Sequence, residues 1–242
     1  MANPYFQFKQ FTVHQEHTAM KVCTDACLFG AWVAQDPQIQ TVQKILDIGS
    51  GTGLLSLMLA QKSSATIKAI EIEAGAFKQT KANFEASPWC DRLLVEHIPI
   101  QDYAANFQQL LYDCIITNPP FYEGDLTSPD AAKNVALHSV ALPWEELAKA
   151  AGELLQAHGA WYVLVPTLRA YTMQKLASNH GMQLAEEVLM YNDAKHLPIR
   201  AMLKFVKQSE ASILRTKLII KNADQSYTAE FTALLKDYYL HL

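Results

Sequence analysis

Leu46-Asp47-Ile48-Gly49-Ser50-Gly51-Thr52-Gly53-Leu54 is the stretch that decides the fold, with three of the chain's nine glycines in five residues. It lies between a short apolar run, residues 44–48, and a segment with helical spacing of apolar residues, 54–62. Glycines at such a turn permit positive φ angles and let a ligand approach the backbone closely. The G-x-G-x-G spacing differs from the G-x-G-x-x-G of dinucleotide-binding folds and from the G-x-x-x-x-G-K-[ST] of phosphate loops. A ligand-binding strand–loop–helix unit is therefore predicted, with an ordinary turn as the alternative.

Short apolar strands alternate with helical segments from residue 44 onward, which predicts a parallel, doubly wound α/β sheet. Residues 182–190 and 201–207 read as two strands with no long helix between them, and so predict an antiparallel hairpin at a sheet edge. The chain is divided accordingly into an N-terminal cap (1–43), the α/β domain (44–207) and a C-terminal tail packed on the same domain (208–242).

The glycine spacing, together with the preceding Asp47, resembles the adenosylmethionine-binding motif of class I methyltransferases. The resemblance implies a Rossmann-like fold with a mostly parallel seven-stranded sheet and an antiparallel edge hairpin, and S-adenosylmethionine as the cofactor. By this resemblance, Asp47 would orient the loop or the cofactor's amino group. Gly49, Gly51 and Gly53 would line the methionine and ribose portions.

Carboxylates after the next two strands are candidates for the rest of the cofactor site. Glu71 ends the second strand 18 residues beyond Gly53, close to the separation of about 20 expected for a group that holds ribose hydroxyls. Ile72 would then pack on the adenine. Asp102 follows the third strand and resembles the group that accepts from the adenine amine, with a helix N-cap or turn residue as the alternative.

The apolar run 112–117 stops at Asn118-Pro119-Pro120-Phe121, a stiff polar corner at the carboxyl end of a strand. An amine conjugated to an aromatic ring is a poor nucleophile, and it gains reactivity when acceptors hold both N–H groups. The Asn118 amide oxygen and the Pro119 carbonyl are such acceptors, Pro120 stiffens the corner, and Phe121 offers a flat face for an extruded base. The corner is similar to the Asn-Pro-Pro-aromatic signature of methyltransferases that act on adenine, guanine, cytosine or glutamine amines.

The N-terminal segment narrows the resemblance to one family. The chain closely resembles the bacterial tRNA1(Val) adenine-N6 methyltransferases, most clearly in residues 8–13, 20–32 and 195–203. Together with the C-terminal tail, the resemblance covers nearly the whole chain. That family modifies the adenosine just 3′ of the anticodon, position 37. The resemblance implies that Thr24 and Asp25 lie by the cofactor's methionine end and that Lys21 faces the mouth of the site, with a solvated lysine as the alternative.

Charge is unevenly distributed along the chain. Residues 195–221 carry seven basic side chains and one acidic side chain, a net charge of +6, whereas the whole chain carries −4. This uneven distribution predicts a basic edge that faces phosphates and includes Lys195 and Arg200. The alternative is a solvated charged surface. Tyr122 and His138 are further substrate candidates. For His138 a surface or capping role is the alternative, since Leu137 stands where related enzymes often have arginine.

Other features limit the location and the function class. Met1 to Gln10 does not resemble a signal peptide, no apolar run would span a bilayer, and the four cysteines form no C-x-x-C pair. A cytoplasmic enzyme without a metal is expected, acting on tRNA. The alternatives are a ribosomal RNA guanine-N2 or protein glutamine-N5 methyltransferase, and a non-enzymatic RNA-binding adaptor on the same fold.

Overall fold

The computed structural model describes residues 3–106, 111–119, 143–208 and 212–242. Within these ranges the strands β1 to β10 span Tyr5–Gln7, Thr12–His14, Lys44–Ile48, Thr66–Glu71, Leu93–His97, Tyr112–Thr117, Leu155–Pro166, Gln183–Asp193, Arg200–Val206 and Leu214–Lys221. The helices α1 to α7 span Thr24–Gln35, Leu54–Ala60, Ala74–Glu85, Ile100–Asn106, Trp144–Leu154, Ala170–Asn179 and Ala229–Leu235. Two short 3-10 helices cover Pro37–Gln40 and Thr167–Arg169.

Eight strands form one sheet in the order β10-β8-β9-β7-β6-β3-β4-β5. β9 is antiparallel to both of its neighbours, and the other seven strands run parallel to one another. The predicted α/β class and the β8–β9 hairpin are confirmed. The sheet has one strand more than the seven predicted, because β10 pairs with β8 and so places the hairpin one strand inside the edge. Leu218 and Ile220 of β10 are buried, which gives this added strand its apolar face.

The sheet separates two apolar clusters, because successive side chains of a strand point to opposite faces. On one face, Ile45 and Ile116 pack in a cluster with residues of α1, α2 and α7. On the other face, Leu46 and Ile115 pack with residues of α4, α5 and α6. Central strands buried on both sides explain why their sequences are almost continuously apolar.

Both ends of the chain share the first of these clusters. β1 and β2 form a small antiparallel hairpin that the sequence did not predict, and Phe8, in the connection between the two strands, makes a bridge with Tyr239. Phe8 and Phe231 of α7 are buried in the same cluster as the sheet residues. The proposed boundaries at residues 43 and 207 stay a prediction. Among the described helices, none combines the length and apolar character that crossing a membrane requires.

Strand register brings the predicted site together. Ile48, the last residue of β3, lies opposite Ile70 of β4 and Thr117 of β6. The chain therefore leaves β3, β4 and β6 at the same edge, where parallel sheets bind ligands. Gly49, Glu71 and Asn118 all lie within one residue of those three positions.

Candidate active site

The glycine loop leaves β3 and enters α2 through three residues with positive φ: 73° at Gly49, 59° at Gly51 and 80° at Gly53. A Cβ atom added at Gly49 or Gly51 would meet nothing within 4 Å, so both glycines border open space. A Cβ at Gly53 would lie 2.7 Å from Cε1 of Phe84. The first two glycines thus leave room for a ligand, whereas Gly53 lets α3 pack against the loop.

Asp47 is fully buried beneath this loop. Its Oδ2 accepts a hydrogen bond from the Ser56 hydroxyl at 2.7 Å, while its Oδ1 has no partner among the described residues. The pKa of Asp47 is raised to about 7, chiefly by burial and to a smaller extent by the nearby charge of Glu71, against the opposing bonds from Ser56. A buried oxygen without a donor is costly unless a ligand supplies one.

Glu71 holds the other side of the loop. Its Oε2 accepts from the Gly51 N–H at 2.8 Å and its Oε1 accepts from the Glu73 N–H at 2.9 Å. The side chain is buried and locked by these two bonds. Each oxygen keeps a further lone pair, so the carboxylate can still accept from a diol.

Asn118 follows β6 directly, and its Oδ1 is buried with no hydrogen-bond partner among the described residues. The preceding Thr117 is tied by its hydroxyl to the Trp161 indole N–H at 3.3 Å. Pro119 is buried as well. One other described residue has such an unpaired buried oxygen, Gln61 at the far end of α2. Two of the three unpaired oxygens thus belong to the predicted site, on adjacent strands.

Residues near the start of α1 contact the first residue of β9. Asp25 Oδ1 accepts from the Ala26 N–H, and its Oδ2 accepts from Arg200 Nε at 3.0 Å. Thr24 is exposed as the first residue of α1, and the exposed Lys21 donates to the Gln15 carbonyl oxygen. The structure thus joins Asp25, predicted to bind the cofactor, with Arg200, predicted to bind the substrate, in one ion pair.

With this geometry in place, comparisons with known proteins show the family. The sequence model of the methyltransferase small domain family matches residues 33–179. A tRNA1(Val) (adenine(37)-N6)-methyltransferase of Cytophaga hutchinsonii is 42% identical, covering 100% of both chains. One of Dyadobacter fermentans is 40% identical, covering 98% of each chain. The chain belongs to the tRNA1(Val) (adenine(37)-N6)-methyltransferase family.

Solved structures agree on the fold of this family member. A crystal structure described as a predicted O-methyltransferase of Agrobacterium tumefaciens matches with a TM-score of 0.67 and 16% identity, covering 88% of this chain and 96% of that one. A SAM-dependent methyltransferase of the same organism matches with a TM-score of 0.62 and 14% identity, covering 86% and 72%. The resemblance to Rossmann-like class I methyltransferases is therefore confirmed at the level of fold.

The residues at this edge fit the S-adenosylmethionine predicted from the loop. The open space beside Gly49 and Gly51 leaves room for the ligand's approach to the backbone. The unpaired Asp47 Oδ1 can accept a hydrogen bond from an amino group, and the Glu71 carboxylate can accept from two ribose hydroxyls. Ile72, next to Glu71, is 46% exposed, an apolar surface of the kind that a planar ring would cover.

The remaining predicted residues are either exposed or outside the described residues. Asp102 is exposed in the first turn of α4, and no described hydrogen bond of its side chain links it to the loop. Lys195 is exposed, and its backbone N–H donates to Asp193. Four predicted positions lie outside the described residues: Pro120, Phe121, Tyr122 and His138.

The sequence did not point to the buried polar face of α3, which supports the loop. Thr80 Oγ1 donates to the Gly51 carbonyl oxygen at 2.9 Å, and Asn83 Nδ2 donates to those of Thr52 and His14, each at 2.8 Å. Gln79 accepts from the His17 N–H at 3.1 Å. This face ties residues 14–17 and the glycine loop to one helix. Three polar residues at helical spacing were the available signal, although such a face is usually solvent-exposed.

Proposed function

We propose that this protein transfers the methyl group of S-adenosylmethionine to the N6 amine of adenosine 37 in a valine tRNA. The observation that carries the proposal is the buried Oδ1 of Asn118, which has no hydrogen-bond partner in the described part of the chain and lies one strand away from the glycine loop. The names of the full-length relatives support adenine as the methylated base and tRNA as the substrate. Since tRNA is used in the cytoplasm, we expect the protein to act there.

The cofactor is held by residues on two neighbouring strands. Glu71 accepts from the ribose hydroxyls, Asp47 orients the loop or accepts from the amino group, and the three glycines keep the backbone close to the ligand. Ile72 covers the adenine and Asp102 remains a candidate for its amine. Thr24 and Asp25 lie towards the methionine end. When bound, S-adenosylmethionine supplies a methyl group activated by its sulfonium charge.

The substrate amine is held by the corner after β6. Asn118 Oδ1 and the Pro119 carbonyl oxygen accept its two N–H groups, which favours a tetrahedral nitrogen with an available lone pair. A buried acceptor that is already in place needs no reorganisation when the base arrives, so its contribution to rate is large. Pro120 and Phe121 stay predictions for stiffness and stacking, as do Lys21, Tyr122, His138, Lys195 and Arg200 for substrate contact.

The proposal is tested with labelled S-adenosylmethionine and tRNA from a strain that lacks this protein, followed by mass spectrometry of the nucleosides. We expect N6-methyladenosine in valine tRNA. Labelled N2-methylguanosine, or label in protein, would replace the proposed substrate with one of the alternatives. The absence of any methyl transfer alongside tRNA binding would favour the adaptor.

Asn118→Ala tests the mechanism separately. The variant should bind S-adenosylmethionine normally and lose about 100-fold or more in turnover, the usual loss for one preorganised group. Asn179→Ala, an exposed asparagine at the end of α6, is the matched control and should keep full activity. Wild-type turnover in Asn118→Ala would show that the amide does not act on the amine.

A further inference from the structure

Three large apolar side chains of the described residues are far more exposed than the others. Leu168 is 91% exposed, Leu197 is 85% exposed and Tyr171 is 78% exposed, whereas the next value is 54%, for Leu214. Scattered exposed leucines are common, but a group of them needs a reason.

The three side chains belong to two segments that are held together. The Thr167 hydroxyl donates to the Pro198 carbonyl oxygen at 3.0 Å, next to Leu168 and Leu197 in the chain. Tyr171 lies one helical turn beyond Leu168, the spacing of neighbours on one helix face. We call the surface formed by Leu168, Tyr171 and Leu197 the 168–197 surface.

This surface lies beside the proposed catalytic corner. β7 runs parallel to β6, with Val163 opposite Thr117, so Asn118 and the segment after Pro166 leave the sheet at the same edge. Pro166 in turn pairs with Arg200, which brings the segment before β9 to that edge. Asn118 is level with Leu164, and a strand residue advances about 3.3 Å, so Pro166 stands two residues, about 7 Å, beyond Asn118 and the 168–197 surface begins past it, at the mouth of the site.

Along the chain, the charged side chains next to the surface are positive. Arg169 and Lys175 lie in the first segment and Lys195 in the second, and residues 166–176 and 194–200 contain no acidic residue. The nearest carboxylate along the chain, Asp193, is engaged by His196 Nδ1 and by the Lys195 N–H. In a chain of net charge −4, exposed aromatic and apolar groups interleaved with cations favour a nucleic acid over a protein partner.

We infer that the 168–197 surface binds bases of the RNA loop that flank the target adenosine. Tyr171 stacks on a base, Leu168 and Leu197 contact base or sugar faces, and Lys175 and Lys195 lie by the phosphates. Enzymes that act on a base in RNA work on unstacked loops, whose exposed rings need new stacking partners. This inference rests on the proposed function, since it assigns the substrate contact next to the proposed site.

The test compares Tyr171→Ala, Tyr171→Phe and the double variant Leu168→Ser/Leu197→Ser. The control is Leu94→Ser, a 53% exposed leucine in β5 at the opposite end of the sheet. The measurements are the dissociation constant for a valine tRNA transcript, KM and kcat for methylation, and the affinity for S-adenosylmethionine. Loss of one base–aromatic stack weakens binding about 5-fold to 150-fold.

We expect Tyr171→Ala and the double variant to weaken tRNA binding and raise KM by at least about 5-fold, with S-adenosylmethionine affinity unchanged. Tyr171→Phe, which keeps the ring, and Leu94→Ser should match the wild type. Unchanged tRNA binding in both surface variants would overturn the inference while leaving the proposed function intact. A wild-type protein that neither binds nor methylates tRNA would overturn both.

Discussion

Glu71→Ala removes the carboxylate that joins the glycine loop to the proposed ribose site. In the wild type its two oxygens accept from the Gly51 and Glu73 N–H groups at 2.8 and 2.9 Å. The variant therefore loses the acceptor for the cofactor and, at the same time, the acceptor for two backbone groups. These two losses appear in different measurements.

The loss of cofactor affinity follows from the number of bonds. A hydrogen bond to a charged acceptor contributes about 1.5–3 kcal/mol, so two ribose hydroxyls contribute about 3 kcal/mol at the lower bound. That corresponds to a rise of about 100-fold or more in the dissociation constant for S-adenosylmethionine. The loss of folding stability is about 2 kcal/mol, because each backbone N–H costs about 1 kcal/mol when its acceptor goes and water replaces it.

Titration calorimetry measures the first quantity and urea denaturation of the cofactor-free protein measures the second. Glu73→Ala is the matched control, because this carboxylate is two residues away and caps α3 through the Gly75 and Ala76 N–H groups. It should cost about 1 kcal/mol of stability, as cap removal usually does, and leave cofactor affinity unchanged. An unchanged dissociation constant in Glu71→Ala would refute the assignment of Glu71 to the ribose.

Two further variants test the glycine loop: Asp47→Asn, beneath the loop, and Gly53→Ala, within it. Burial raises the pKa of Asp47 from 3.8 to about 7, so the folded protein holds this proton more tightly than the unfolded chain does. The contribution of Asp47 to stability therefore falls as the pH rises between those two values. Urea denaturation of the cofactor-free protein across this range should show that decline in the wild type relative to Asp47→Asn; parallel profiles would contradict it. Gly53→Ala should destabilise the protein more than Gly181→Ala, because both glycines have positive φ but only Gly53 lies against Phe84. Equal losses in thermal unfolding would show that backbone strain, about 1–2 kcal/mol for a left-handed residue, is the whole cost.

Local patterns in the sequence predicted most of the elements closely. The strands at residues 44–48 and 112–117 have the predicted bounds, because apolar runs and glycine or proline breaks are local signals. The hairpin of β1 and β2 and the helix α4 were missed. Both are short, and tertiary contacts rather than local periodicity hold such elements in place.

The family and the fold class follow from the sequence, and both are confirmed. The strand order does not follow from it, because pairing is a contact between residues distant in the chain. The tail of residues 208–242 was therefore expected only to pack on the domain, whereas the structure adds its strand β10 to the sheet beside β8.

The sequence by itself determined which residue types stand at the strand ends: the glycine loop, Glu71 and Asn118. Only the tertiary structure decided that Ile48 lies opposite Thr117, which places the loop and Asn118 at one edge. It also decided that Asp47 and Asn118 each keep a buried oxygen without a partner among the described residues, and that a hydrogen bond from Thr167 to Pro198 joins the segments that carry Leu168 and Leu197. Burial and hydrogen-bond satisfaction depend on every neighbour in space, and no window of sequence contains those neighbours.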